Sequence, residues 1–401
     1  MDDYSRPRIM LVVGEPSGDA LGQQVILALR QLTHGMVDII GVGGERMRAA
    51  GLQSLYAITD TSVMGLREVV PKIPVILRRI RQVAEFAKTT RPDIVVMIDS
   101  PDFTHKVAKR IRKIAPDLKL IDYVAPQVWA SRPGRAKTMA QYFDHVLCLL
   151  PFEVPFFQGA GMGASFVGHP AVERTARPGQ GEAFRARHGI SPDARLLLLL
   201  PGSRSSEIRF LWPVFREAIE ITQREAGQFR IVLPTVQTVS SKVRALVNQW
   251  GQDVLVVEDA DEKLGAFDAA DVALAASGTV ATELALSATP AVIGYRVGAL
   301  TAAIARRMIK VPFITLVNLI LDREVVPEFV QERCTPQNLA RELVRLLTNH
   351  AARVEQVTAS VAALRAMGQG DEPPSMRAAR EILRIMKEPP RQAGAAPETR
   401  T

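Results

Sequence analysis

The run Leu196–Leu200, five consecutive leucines closed by Pro201 and Gly202, restricts what this chain can fold into more than any other stretch. Five apolar residues are too few for a buried helix, and without alternation they cannot line a sheet that keeps one face in water. They predict a strand covered on both faces, as in a parallel sheet. Pro201 and Gly202 stop the strand, and Ser203, Ser205 and Ser206 are N-cap candidates for the helix that follows. Ser203 and Glu207 bracket the start of that helix. A sharp loop from a buried strand into a helix is where α/β proteins hold anions, and Arg204 adds a planar cation there. Gly202, Ser203 and Arg204 are therefore candidate phosphate contacts.

The same rhythm runs along the whole chain. Strands are predicted at Arg8–Val13, Asp38–Gly41, Ile94–Ile98, Leu118–Tyr123 and Val146–Leu150, with helices at Leu21–Leu32, Ile73–Lys88 and Thr104–Ile114 between them. After a Pro/Gly-containing connector the pattern restarts with strands at Leu196–Leu200, Arg230–Leu233, Val254–Glu258, Val272–Ala275 and Ala291–Tyr295. This predicts an α/β chain of two Rossmann-like, doubly wound domains in series, with a cleft between them. The expected domains are residues 1–170 and 171–368, then a C-terminal helix within 369–387 and a disordered tail, 388–401.

Across 401 residues, 47% hydrophobic content leaves ample material for two cores, and a net charge of +8 suits an anionic substrate or a membrane surface. Aromatics at 5%, with no aromatic-plus-basic signature, argue against nucleic acid. Cys148 and Cys334 have no metal-like or redox-like neighbours. No apolar run is long enough to span a bilayer and no secretory leader is evident, so a cytoplasmic chain is expected.

Several short segments carry chemistry. In Gly14–Asp19 (GEPSGD), Gly18 is expected to let a ligand near the backbone and Ser17 and Asp19 to cap the next helix, while Glu15 faces the cleft. Gly41–Gly44 (GVGG) fails as a dinucleotide fingerprint, because it follows the second strand and has Arg46 at the third glycine position. In Asp99–Asp102 (DSPD), Asp99 ends a strand and is the candidate general base, whereas Asp102 is assigned to capping. Asp259 and Asp261 match a short metal-binding DxD pattern but lack converging ligands, and no metal or other cofactor is expected. Ser277, Gly278 and Thr279 offer hydroxyls and amides to a phosphate, and Glu283 two oxygens to a ribose diol. His169, in GHP, is expected at the interdomain seam. Between Arg67 and Lys113 twelve Lys/Arg face five Asp/Glu, and the helix Ile73–Lys88 mixes them with apolar residues. That stretch is either a core-facing helix with a solvated side or a patch for anionic lipid.

Together these segments resemble the lipid-A-disaccharide synthase family. GEPSGDALG, GVGGERM, SVMGLREVVPKIP, IDSPDF, YVAPQVWA, LPFE, FVGHP, LLPGSRSSEI, ASGTVATELAL and VNLILDREVVPEFVQE occur in the family's order, from about Met10 to Pro336. The resemblance implies a GT-B fold and an inverting glycosyltransferase. Its substrates are UDP-2,3-diacylglucosamine and the 6-hydroxyl of 2,3-diacylglucosamine 1-phosphate (lipid X), and its products a β(1→6) disaccharide 1-phosphate and UDP. It implies Asp99 as the base, Arg204 at the diphosphate, Glu283 at the nucleotide, and Asn318 and Gln331 lining the nucleotide pocket. It also implies a homodimer and peripheral attachment to the inner face of the inner membrane. Met64, Gly65, Lys72, Arg78, Arg79 and Arg81 are the expected acceptor and membrane patch. Pro16, Gln127, Ser131 and Val317 depart from the family pattern. The rivals are a UDP-sugar 2-epimerase of the same fold and a nucleotide-sensing or lipid-binding module.

Overall fold

The apolar runs become strands of two parallel sheets in the computed structural model, which describes residues 6–61, 66–131, 134–173, 179–298, 301–302, 311–370 and 372–389. The first sheet contains β1 (Arg8–Val13), β2 (Asp38–Val42), β3 (Gln53–Ser54), β4 (Ile94–Ile98), β5 (Leu120–Tyr123), β6 (His145–Cys148) and β7 (Gly163–Phe166). They lie side by side as β3-β2-β1-β4-β5-β6-β7. The second contains β8 (Leu196–Leu200), β9 (Arg230–Pro234), β10 (Val254–Val257), β11 (Val272–Ala276), β12 (Ala291–Tyr295) and β13 (Glu328–Val330), ordered β10-β9-β8-β11-β12-β13. β4 and β8 are buried at every residue, which is why neither alternates in sequence. The edge strands β3, β7 and β13 escape prediction because they are short and hold no run of more than two apolar residues.

In each sheet the strand order reverses once, between β1 and β4 and between β8 and β11. At such a point successive crossovers leave for opposite sides, so the carboxyl ends of the two strands stay open to ligand. GVGG serves this packing. Gly41, at φ +134°, has no room for a Cβ, which would lie 2.0 Å from the Leu11 carbonyl oxygen on β1.

The chain divides into two compact units, Met1–Glu173 with Met367–Thr401, and Arg174–Ala366. The C-terminal helix, Pro374–Met386, thus belongs to the first unit and does not stand apart. Its Ala378, Ala379, Ile382 and Ile385 join one buried cluster with Val25, Ile26 and Leu29 of the helix Pro16–Leu32. Lys119 Nζ closes its end by donating to the carbonyls of Ile385 (3.0 Å) and Met386 (2.6 Å). Most of the expected tail, residues 390–401, lies outside the described residues. Ile382 is fully buried, so Ile382→Ala should lower stability by about 2–4 kcal/mol, measured by urea denaturation.

Candidate functional site

The register of β1 on β4 sets Val13 opposite Ile98, so the loops after these strands leave side by side. Asp99 and Ser100 both have left-handed backbone, at φ +57° and +46°. Such conformations cost L-residues about 1–2 kcal/mol each and persist where the surroundings hold them. Here Thr104 Oγ1 donates to the Asp99 carbonyl (2.8 Å), and the Asp99 amide donates to the Tyr123 carbonyl (3.0 Å). The half-exposed Asp99 carboxylate accepts a hydrogen bond from Ser17 Oγ at 2.5 Å. Glu15 stands beside it with its pKa raised, first by burial and then by the Asp99 charge. Glu15, Ser17 and Asp99 therefore converge at one open strand edge.

The rest of the GEPSGD loop does other work. Gly18 does not admit a ligand: it is buried, and a Cβ there would lie 3.0 Å from the Ile98 carbonyl oxygen. Asp19 does not cap its own helix, and neither does Ser17, whose hydroxyl is given to Asp99. The buried Asp19 carboxylate instead accepts from the amides of Gly44 (2.7 Å), Arg46 (3.0 Å) and Met47 (3.1 Å), fixing the start of the helix Glu45–Ala49. Asp102 is not a cap but sits in the first turn of Pro101–Ile114, where a negative charge favours the helix dipole. His169 is half-buried in the first unit and accepts from the Ala171 amide at Nδ1 (3.2 Å); burial pushes its pKa down to about 4. Glu153, from LPFE, is buried and clamps the neighbouring loop by accepting from Trp129 Nε1 and the amides of Leu149 and Leu150, each at 3.0 Å. Sequence reasoning gave it no role.

In the second unit, the β8–β11 register sets Leu200 beside Ala275, so Pro201–Arg204 and Ser277–Thr279 emerge together. None of the loop serines caps the helix Ser205–Ala226. The amides of Ser203 (3.0 Å) and Arg204 (3.2 Å) donate to Glu207 Oε2, and Arg204 Nη1 pairs with Glu207 Oε1 at 2.8 Å. The amides of Ser203 and Arg204, both candidate phosphate contacts, thus already face a carboxylate, and the Arg204 guanidinium is 76% exposed. Gly202, at φ +114°, makes room for Glu207, whose Oε2 lies 2.5 Å from where a Cβ would be. The backbone at Gly278 is open, with nothing near a Cβ position, and Thr279 makes no side-chain cap. Glu283 is not a solvent-facing residue, since Lys263 Nζ pairs with it at 2.7 Å. Lys263 is twenty residues away in sequence, and no spacing rule connects the two.

Two expected pocket residues separate. Gln331 lines a cavity and has left-handed backbone, φ +53°. Asn318 lines none. It is fully buried, its Nδ2 donating to the Val326 carbonyl and Glu328 Oε1 (both 2.7 Å), its Oδ1 accepting from the amides of Val325 (2.8 Å) and Val326 (2.9 Å). With every hydrogen-bonding position filled, it folds the segment rather than contacting ligand. Asp259 accepts from the amides of Asp261 (2.9 Å) and Glu262 (3.0 Å), so the DxD match is a helix cap. Among the described residues no cluster of three or more His, Cys, Asp or Glu is placed to hold a metal.

On the helix Leu66–Thr90 the core side is Ile80, Val83, Ala84 and Ala87, while Ile73 and Leu77 are 44% and 49% exposed. Arg78 and Arg81 are exposed nearby and Lys72 is half-exposed, its Nζ donating to the Thr59 carbonyl at 3.3 Å. Arg79 does not belong to this surface. Its guanidinium binds Asp60 Oδ2 at 2.9 and 2.5 Å and lies over the Tyr56 ring. Met64 and Gly65 lie outside the described residues. No described helix is long and apolar enough to cross a membrane.

Residues 9–382 match the family model described as lipid-A-disaccharide synthetase. The chain is 47% identical over 378 residues to the lipid-A-disaccharide synthase of Rhodospirillum centenum, covering 94% of each sequence. It is 44% identical to that of Paramagnetospirillum magneticum, covering 95% of this chain and 98% of the relative. A solved putative UDP-N-acetylglucosamine 2-epimerase from Listeria monocytogenes shares the fold, with a TM-score of 0.62 at 12% identity and 96% coverage of both chains. The GT-B expectation agrees with these two parallel-sheet units.

The neighbouring charge on Asp99 can be removed without removing the burial of Glu15. In Asp99→Asn the titration midpoint of the Glu15 carboxyl should fall towards the ordinary range, followed by carbon NMR of that carboxyl; an unmoved midpoint would show that the two carboxylates are not coupled.

Proposed function

As this chain belongs to the lipid-A-disaccharide synthetase family, we propose that it transfers 2,3-diacylglucosamine from its UDP carrier to the 6-hydroxyl of 2,3-diacylglucosamine 1-phosphate, with inversion at the anomeric carbon. The observation that carries the mechanism is the Asp99 carboxylate held at an open strand edge by Ser17. Asp99 takes the proton of the acceptor hydroxyl as that oxygen bonds to C1 of the donor. The bond from C1 to the diphosphate oxygen breaks, and UDP leaves with the electron pair.

Negative charge grows on the diphosphate as that bond breaks. Arg204 is the cation for it in this proposal, with Ser203, Ser277, Gly278 and Thr279 as neighbours and Gly202 fixing the turn. Glu283, oriented by Lys263, takes the ribose diol, and Gln331 lies in a neighbouring pocket. Positioned cations and dipoles can stabilise such a leaving group, so no metal is part of the proposed step. Exposed Ile73 and Leu77 beside Lys72, Arg78 and Arg81 support docking on an anionic membrane surface, where diacylated substrates reside. Peripheral placement at the inner face of the inner membrane and a homodimer complete the reading.

Mixing UDP-diacylglucosamine with lipid X should give the tetraacylated disaccharide 1-phosphate and UDP by mass spectrometry. Asp99→Ala should cut turnover by roughly 10²–10⁴-fold while the protein stays folded; near-normal turnover would remove Asp99 as the base. Arg204→Ala should weaken UDP binding about tenfold, read by calorimetry.

A further inference from the structure

A carboxylate stands inside the buried strand β5, where Asp122 interrupts the apolar residues of Leu120–Tyr123. Its register partners are Met97 on β4 and Val146 on β6, and Asp122 is 1% exposed. His105, also buried, reaches it from the helix Pro101–Ile114, Nε2 to Oδ2 at 3.3 Å. The other ring nitrogen, Nδ1, meets the Tyr142 hydroxyl at 3.2 Å. The Phe143 ring packs edge-on against the imidazole, with 5.1 Å between centroids. Burial pushes the Asp122 carboxyl pKa up, and the facing His105 opposes this. The proposed reaction uses none of these groups.

A core does not need such a pair for its stability, because apolar side chains of similar volume do as well or better. What distinguishes this one is its place in the fold. The Asp99 amide is held by the carbonyl of Tyr123, the residue after Asp122 on β5. The Asp99 carbonyl is held by Thr104 Oγ1, the residue before His105 on the helix. A strand and a helix thus hold the Asp99 backbone from two sides. The His105–Asp122 contact ties that strand to that helix, next to both points of attachment. Asp99 and Ser100 have left-handed backbone, which persists only where the surroundings fix it.

We propose that His105 and Asp122 are positioning residues for Asp99, locking the helix Pro101–Ile114 onto β5 so that the left-handed turn presents the carboxylate to the acceptor hydroxyl. They act through the two backbone attachments of Asp99 and not on the substrate. Misplacing a reacting group by about 1 Å can cost about a hundredfold in rate. A loosened tie therefore lowers kcat and leaves substrate binding in place. The inference rests on the proposed role of Asp99 as the base.

The test exchanges the pair for apolar residues, His105→Leu with Asp122→Leu, in the full chain, once with Asp99 present and once in Asp99→Ala. With Asp99 present, kcat should fall about 10- to 100-fold while KM for each lipid substrate stays within about twofold. In Asp99→Ala the same exchange should change turnover by less than about twofold, since the group it positions is gone. Asp122→Asn keeps the volume and a neutral hydrogen bond to His105. It should lower kcat about two- to fivefold, again only with Asp99 present, and it carries the test if the leucine pair does not fold. Wild-type kcat in either variant would overturn the positioning role, and so would an equal fall in both backgrounds, the mark of a general effect on the fold. Near-normal turnover in Asp99→Ala alone would remove the base and this inference with it. A full loss in Asp99→Ala beside wild-type kcat in the leucine pair would overturn the inference only.

Discussion

The parallel pairing of β1 with β4 is the constraint on which the first unit's chemistry depends. Its register places Val13 beside Ile98, so Glu15 and Ser17 leave one strand next to the point where Asp99 leaves the other. The hydrogen bond from Ser17 to Asp99 and the raised pKa of Glu15 follow from that adjacency. The second unit repeats the arrangement with β8 and β11, whose register brings Arg204 and Ser277 out together. In both sheets the reversal of strand order keeps these ends clear of their own crossovers.

Much of the polar content around these ends is structural. Asp19, Glu153, Glu207 and Asp259 each accept from two or more N–H groups that a loop or helix start would otherwise leave open. A buried donor left without a partner costs about 1–3 kcal/mol, so such carboxylates are as strongly constrained as catalytic ones. Asn318 shows the same economy, linking Val325, Val326 and Glu328 with all of its hydrogen-bonding positions. A polar residue in a loop motif therefore marks a constrained place without saying whether backbone or ligand does the constraining.

The sequence by itself determined the two α/β units, the strands β1, β4, β8, β11 and β12, and the loops that follow β1, β4, β8 and β11, because continuous apolar runs and Pro/Gly stops are local signals. It also marked Asp99, since a carboxylate closing a buried strand is visible in the chain itself. Tertiary structure alone decided which marked side chains remain open to a ligand. Asp19 bonds amides 25–28 residues away, Lys263 reaches Glu283 across 20, and the helix Pro374–Met386 returns to the first unit. These outcomes depend on which distant groups the packing brings within hydrogen-bonding reach, and no local period or spacing encodes that.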